Sequence, residues 1–131
     1  MPFMEWNDAL SIKVEEIDEQ HKILFKHINN LYEAALSDTE TQTVGDALSS
    51  MVNYTVYHFY TEEEFMQGHA YQGYEEHKKE HLELTEKTIH FFERFQNGET
   101  EICDELLLFL KSWLTNHIMI TDKKLAAVKV S

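Results

Sequence analysis

The amino-acid sequence predicts an all-α fold: an up-down-up-down antiparallel four-helix bundle with an N-terminal covering loop and a short C-terminal helix. Three observations carry this. Apolar residues recur at three- and four-residue steps along four long segments, the period of an amphipathic helix. No segment of useful length alternates apolar and polar residues as a strand does. Turn-forming residues cluster between the four segments, and one proline (Pro2) and four glycines in 131 residues leave little else to interrupt them.

Residues 1–14 form the covering loop. The first helix spans about 15–37, with the stripe Ile17, His21, Leu24, Ile28, Leu31 and Ala35, and stops at Ser37-Asp38-Thr39. The second spans about 41–66 and carries Val44, Leu48, Met51, Thr55, His58, Glu62 and Phe65 before the Gly68–Gly73 turn. The third, about 71–96, carries Tyr74, His77, His81, Leu84, Thr88, Phe91 and Phe95 and stops at Asn97-Gly98. The fourth, about 101–118, carries Ile102, Leu106, Leu110, Trp113 and His117. A short last helix is expected over about 121–127. Short connections make neighbouring helices antiparallel, and 1–131 reads as one domain of ordinary size.

Composition removes several functions. A formal charge of −13 argues against nucleic acid and anionic membrane surfaces, which need clustered Lys and Arg. The lone Cys103 allows no disulfide within the chain. The N-terminus has no basic region followed by an apolar run, so no signal peptide is visible, and no apolar stretch approaches the ~20 residues that span a bilayer. The expectation is a cytoplasmic protein, and the acidic surface favours a monomer.

Six side chains contradict the apolar stripes they continue: His21, His58, Glu62, His77, His81 and His117. Burying one such group without a partner costs several kcal/mol, roughly 2–7 on transfer scales. His21 lies near the start of the first helix, His58 and Glu62 near the end of the second, His77 and His81 near the start of the third, and His117 at the end of the fourth. In an alternating bundle these positions share one end. At ~1.5 Å rise per residue they fit one layer about a turn or two thick.

The pairs His58/Glu62 and His77/His81 are four residues apart, so each projects from one helix face. Asp122, past the last helical run, is a seventh donor. Five residues separate it from His117, so both cannot face the core on one regular helix. The fourth helix should therefore break or widen near Met119–Thr121, with Thr121 as N-cap of the short last helix.

Five imidazoles offer five nitrogens, and two bridging carboxylates offer four oxygens. Nine donors are too many for one tetrahedral zinc and suit two six-coordinate ions. A shared oxide or hydroxide would fill two more of the twelve positions and leave one vacant. Mixed imidazole and carboxylate ligation suits iron or manganese. A single histidine on an apolar stripe is more often a hydrogen-bonded core residue, and a glutamate in the run Glu62–Glu64 is usually solvated. The coincidence of seven donors on four helices in one layer outweighs both. His27, His69 and His90 lie off the seams or in a loop and are left out.

The sequence also carries family motifs in order: MEWNDALSI with Trp6, IDEQHK around His21, HFYTEEEFM around His58 and Glu62, GYEEHKKEH around His77 and His81, and WLTNHIMITDKK from Trp113 to Lys124. Together these span essentially the whole chain, which resembles the bacterial hemerythrins. The resemblance implies one iron held by His77, His81 and His117, a second held by His21 and His58, and bridges from Glu62 and Asp122. It implies an oxide or hydroxide between ferrous or ferric ions, with the vacant position on the two-histidine iron. There dioxygen, or a small anion, would bind reversibly. Leu114, Ile118 and Trp113 are the expected pocket lining. Lys13 departs from the pattern, standing where related chains usually have glycine.

The expected activity is thus oxygen carriage, storage or delivery rather than catalysis. Rival readings are a di-iron oxidase or peroxidase, a module that senses oxygen or redox state, and an inert zinc site. Carboxylate-rich di-iron enzymes pair Glu-x-x-His motifs from two helices, and this sequence contains no such motif.

Overall fold

A computed structural model of the chain describes residues 3–36, 41–99 and 103–126. It contains four long helices: α1 (Glu15–Leu36), α2 (Thr41–Gly68), α3 (Tyr74–Gln96) and α4 (Cys103–Asn116). No strand occurs among the described residues. Helix α1 packs on α2 and α4, and α3 packs on α2 and α4, which closes the bundle. The stripes read from the sequence are the buried faces: Ile17, Leu24, Ile28 and Leu31 of α1 meet Leu48 and Met51 of α2, Leu84, Phe91 and Phe95 of α3, and Leu106 and Leu110 of α4 in one core. Ile102 and the Ser37–Thr39 turn lie outside the described residues.

Acidic residues occupy the first turns of α1 (Glu15, Glu16, Asp18), α3 (Glu75, Glu76) and α4 (Asp104, Glu105), where they complement the positive end of the helix dipole. Helix α2 runs two residues past the expected stop at 66. It closes with a pair of backbone bonds, Tyr71 N–H to Met66 O (2.9 Å) and Ala70 N–H to Gln67 O (3.1 Å). This is the Schellman closure, and it places Ala70 in the left-handed region (φ 50°) that glycine normally takes. The turn delays α3 from the expected 71 to Tyr74. Helix α3 ends the same way around Gly98 (φ 99°).

The N-terminal segment packs along the side of α1, from Tyr32, on which Phe3 stacks, to Asp18, and so covers a flank of the bundle rather than its end. Asn29 of α1 holds it through both halves of its amide, accepting from Met4 N–H (2.7 Å) and donating to Met4 O (2.8 Å). Asp18 accepts from Ile12 N–H (2.9 Å) and from the Ser11 hydroxyl. Leu10, Ile12 and Val14 are buried under this clamp. Lys13 adopts φ 65°, so the loop keeps the left-handed path that a glycine would take most easily.

The fourth helix widens where expected, but without a break and without the expected cap. After Asn116 the backbone widens into a five-residue π-helical turn, His117–Thr121, and continues into a 3-10 turn, Asp122–Lys124. Asp122 N–H donates to His117 O and Ile118 O, so the chain never breaks. Thr121 is helical and makes no cap. Its hydroxyl instead donates to Glu80 of α3 (2.9 Å), a partner from another helix that local sequence cannot reveal.

Candidate metal centre

All seven predicted donors meet at one end of the bundle, buried to 3% exposure or less. Their atoms form two overlapping groups. Nitrogens of His77, His81 and His117 gather with oxygens of Glu62 and Asp122, and nitrogens of His21 and His58 gather with the same two carboxylates. The π-turn makes the sharing possible. Its extra residue rotates Asp122 onto the His117 face, where Asp122 Oδ1 lies 3.0 Å from His117 Nε2 and 2.8 Å from His77 Nε2. The other Asp122 oxygen is 3.1 Å from His21 Nε2. Glu62 divides likewise, with Oε1 2.9 Å from His81 Nε2 and Oε2 3.1 Å from both His21 and His58 Nε2.

The remote ring nitrogens fix which atom carries the proton. Thr61 donates its hydroxyl to Tyr57 O, so it must accept from Gln20 Nε2 (3.2 Å). That orients Gln20 Oε1 toward His58 Nδ1 (2.8 Å), which must then be the protonated nitrogen. Glu63 accepts from His81 Nδ1 (3.0 Å) and Glu80 from His117 Nδ1 (2.9 Å). In the neutral rings the Nε2 atoms are therefore lone-pair donors facing the carboxylates. Two of them, on His81 and His117, face each other at 3.2 Å.

That arrangement repels itself unless a cation lies among the donors. Both Asp122 oxygens, Glu62 Oε1 and His77 Nε2 are buried without a properly directed hydrogen bond, although their neighbours lie within 3.4 Å. The atoms converge on shared points instead of aiming at one another, as ligands do. The residues fit a pair of metal ions.

In the metal-free protein, protons take this role. Burial alone would push His21 down, yet hydrogen bonds and charge from Asp122 and Glu62 lift it to about 10, and the same causes lift His77 to about 9. Burial favours the neutral form of Glu62, but His58, His21 and His77 hold it well below the usual carboxylate range. Asp122 is likewise held down against burial and the Glu62 charge, chiefly by His117. Metal binding therefore releases protons.

The comparisons with known proteins agree with this geometry. The profile of the hemerythrin HHE cation binding domain matches residues 12–128. The chain belongs to the hemerythrin family. It is 36% identical over 126 residues to a bacteriohemerythrin of Stenotrophomonas maltophilia, covering 96% of this chain and 81% of that one. Identity to the bacteriohemerythrin of Methylococcus capsulatus is 33% over 124 residues and 94% of each chain. Among solved structures, a wild-type hemerythrin aligns over 98% of both chains at 31% identity with a TM-score of 0.91. A leucine-to-alanine hemerythrin variant aligns over 100% of both with a TM-score of 0.93.

Three members of this hemerythrin site escaped the sequence reading: Gln20, Glu63 and Glu80. Gln20 directly precedes His21, and Glu63 sits in a glutamate run that reads as surface. Glu80 is half-exposed and meets His117 across helices, so nothing local marked it. Aromatic rings also hold the imidazoles: Phe59 stacks on His81 (3.8 Å between centroids) and Trp113 on His117 (4.5 Å). Trp6, from the covering segment, lies 6.4 Å from the His21 ring. Leu114 and Ile118 are buried on either side of His117 in sequence.

Proposed function

We propose that the chain binds dioxygen reversibly at two iron ions, as a carrier, store or delivery protein rather than an enzyme. The observation that carries the proposal is the pair of overlapping donor groups sharing both Glu62 and Asp122. His77, His81 and His117 would hold one ion and His21 and His58 the other, with both carboxylates bridging. The two-histidine ion then has the smaller protein donor set and is where dioxygen, or a competing small anion, would bind. Two ferrous ions would supply electrons to the bound dioxygen and take them back on release.

The protein's own residues make that binding reversible. Glu63, Glu80 and Gln20 fix three rings with Nε2 inward, so the donors are set before metal arrives. Leu114 and Ile118 have no polar side-chain atoms, and their burial beside His117 keeps water from that wall. Only two carboxylates stand among five imidazoles, which supplies less negative charge than a carboxylate-rich shell and favours the reduced ions.

Anaerobic loading with ferrous iron followed by oxygen titration tests the reading. Two irons per chain and a visible spectrum that changes with oxygen and recovers under vacuum are expected. Irreversible oxidation on first exposure, or zinc alone in protein made with iron supplied, would overturn it.

A further inference from the structure

We infer that the two halves of the centre hold metal unequally, and that Gln20 makes the His21–His58 half the exchangeable one. This rests on the two-metal reading above. The bridging carboxylates are common to both halves, so any difference between them arises from the histidines and what stands behind them. In the three-histidine half, His81 donates to the Glu63 carboxylate and His117 to the Glu80 carboxylate. In the other half, His58 donates to the neutral Gln20 amide, and His21 Nδ1 has no partner among the described residues. His77 Nδ1 also lacks one, so the contrast is two carboxylates against none.

A carboxylate behind an imidazole raises the basicity of the ring and neutralises part of the metal charge, whereas an amide only orients the ring. Loss of such a partner typically weakens metal binding about 10–100-fold. Ring packing adds to the difference. Phe59 and Trp113 lie nearly parallel to His81 and His117, at 5° and 16°, whereas the aromatic neighbours of His21 and His58, Trp6 and Phe59, are tilted to them at 39° and 43°. The orientation of Gln20 is itself fixed by Thr61, so its amide oxygen cannot exchange roles with the nitrogen. Gln20 is thus a positioning residue that leaves its histidine an ordinary neutral ligand.

The first ion accordingly enters the His77–His81–His117 half and leaves last. The second enters and leaves the His21–His58 half. When metal is scarce the chain carries a single ion, and the pair needed for dioxygen forms only as supply rises.

Cobalt(II) titration of the metal-free protein, followed by absorbance and calorimetry, reads both steps without dioxygen. Two cations sharing Glu62 and Asp122 repel, which weakens whichever arrives second. Variants that leave the bridges intact separate that effect from the one inferred here. Gln20→Glu is expected to tighten the weaker step about 10-fold and leave the tighter step unchanged. Glu80→Gln should loosen the tighter step about 10-fold. His58→Ala should remove the weaker step alone. Helix content of each metal-free variant is measured by circular dichroism, and the Glu80→Gln comparison decides if Gln20→Glu does not fold. The inference is overturned by a weaker step insensitive to Gln20→Glu, a tighter step insensitive to Glu80→Gln, or loss of the tighter step in His58→Ala. Wild-type protein that binds fewer than two equivalents overturns the two-metal reading itself.

Discussion

At the scale of single residues, the centre is a contest between protons and metal for the same nitrogens. His21 and His77 are raised to about 10 and 9 in the metal-free protein, while Glu62 and Asp122 stay ionised. A raised folded-state value stabilises the fold fully below the unfolded value of about 6.5 and ceases to do so as pH passes the folded value. Metal-free protein is therefore expected to lose thermal stability steadily from about pH 6.5 to pH 10, as read by melting temperature against pH. A flat profile over that range would count against imidazolium–carboxylate pairing. The seven donors were legible because each is a polar residue on an apolar stripe at a four-residue step. Gln20, Glu63 and Glu80 were not, because a residue that contacts a donor from outside sits on the polar edge of its helix, where polar side chains are ordinary.

At the scale of elements, the sequence located faces better than ends. Among the described residues the four stripes match buried or half-buried positions, since helix period follows from apolar spacing alone. Where α2 stops and α3 starts depends on backbone closure at Ala70, which composition does not display because the left-handed residue there is not glycine. A left-handed alanine costs about 1 kcal/mol, so Ala70→Gly is expected to raise the melting temperature by roughly 3 °C. No rise, or a fall, would show that Ala70 is relaxed. The five-residue spacing of His117 and Asp122 did reveal a fault in the last helix. Widening was one of the two forms expected there, but the role of Thr121 was not legible: its hydroxyl, a plausible cap by type, is taken by Glu80 across the bundle.

At the scale of the molecule, the donors gather at one end, and most of the apolar core lies beyond them. The metal centre sits where α1 and α3 begin and α2 and α4 end. Ile28, Leu31, Leu48, Met51, Phe91, Phe95 and Leu106 fill the rest with apolar side chains. That core should hold the helices without metal. Chelation is expected to leave far-ultraviolet dichroism largely intact while lowering the melting temperature, because ligand at about 1,000 times its Kd contributes roughly 4 kcal/mol. Unfolding on chelation would mean that the core cannot stand alone.

The distribution of donors among helices has a mechanical consequence. The α1–α2 hairpin supplies His21, His58 and Glu62, and the α3–α4 hairpin supplies His77, His81, His117 and Asp122. Each hairpin is local in the chain, and each contributes one of the two carboxylates common to both donor groups. The centre is therefore a rivet between the first and second halves of the chain, which also meet through the packing of α2 on α3 and the turn at Gly68–Gly73. A ligand that alters the spacing of the two ions would pull on both hairpins at once, and the strain would appear as a change in their crossing rather than in either one alone.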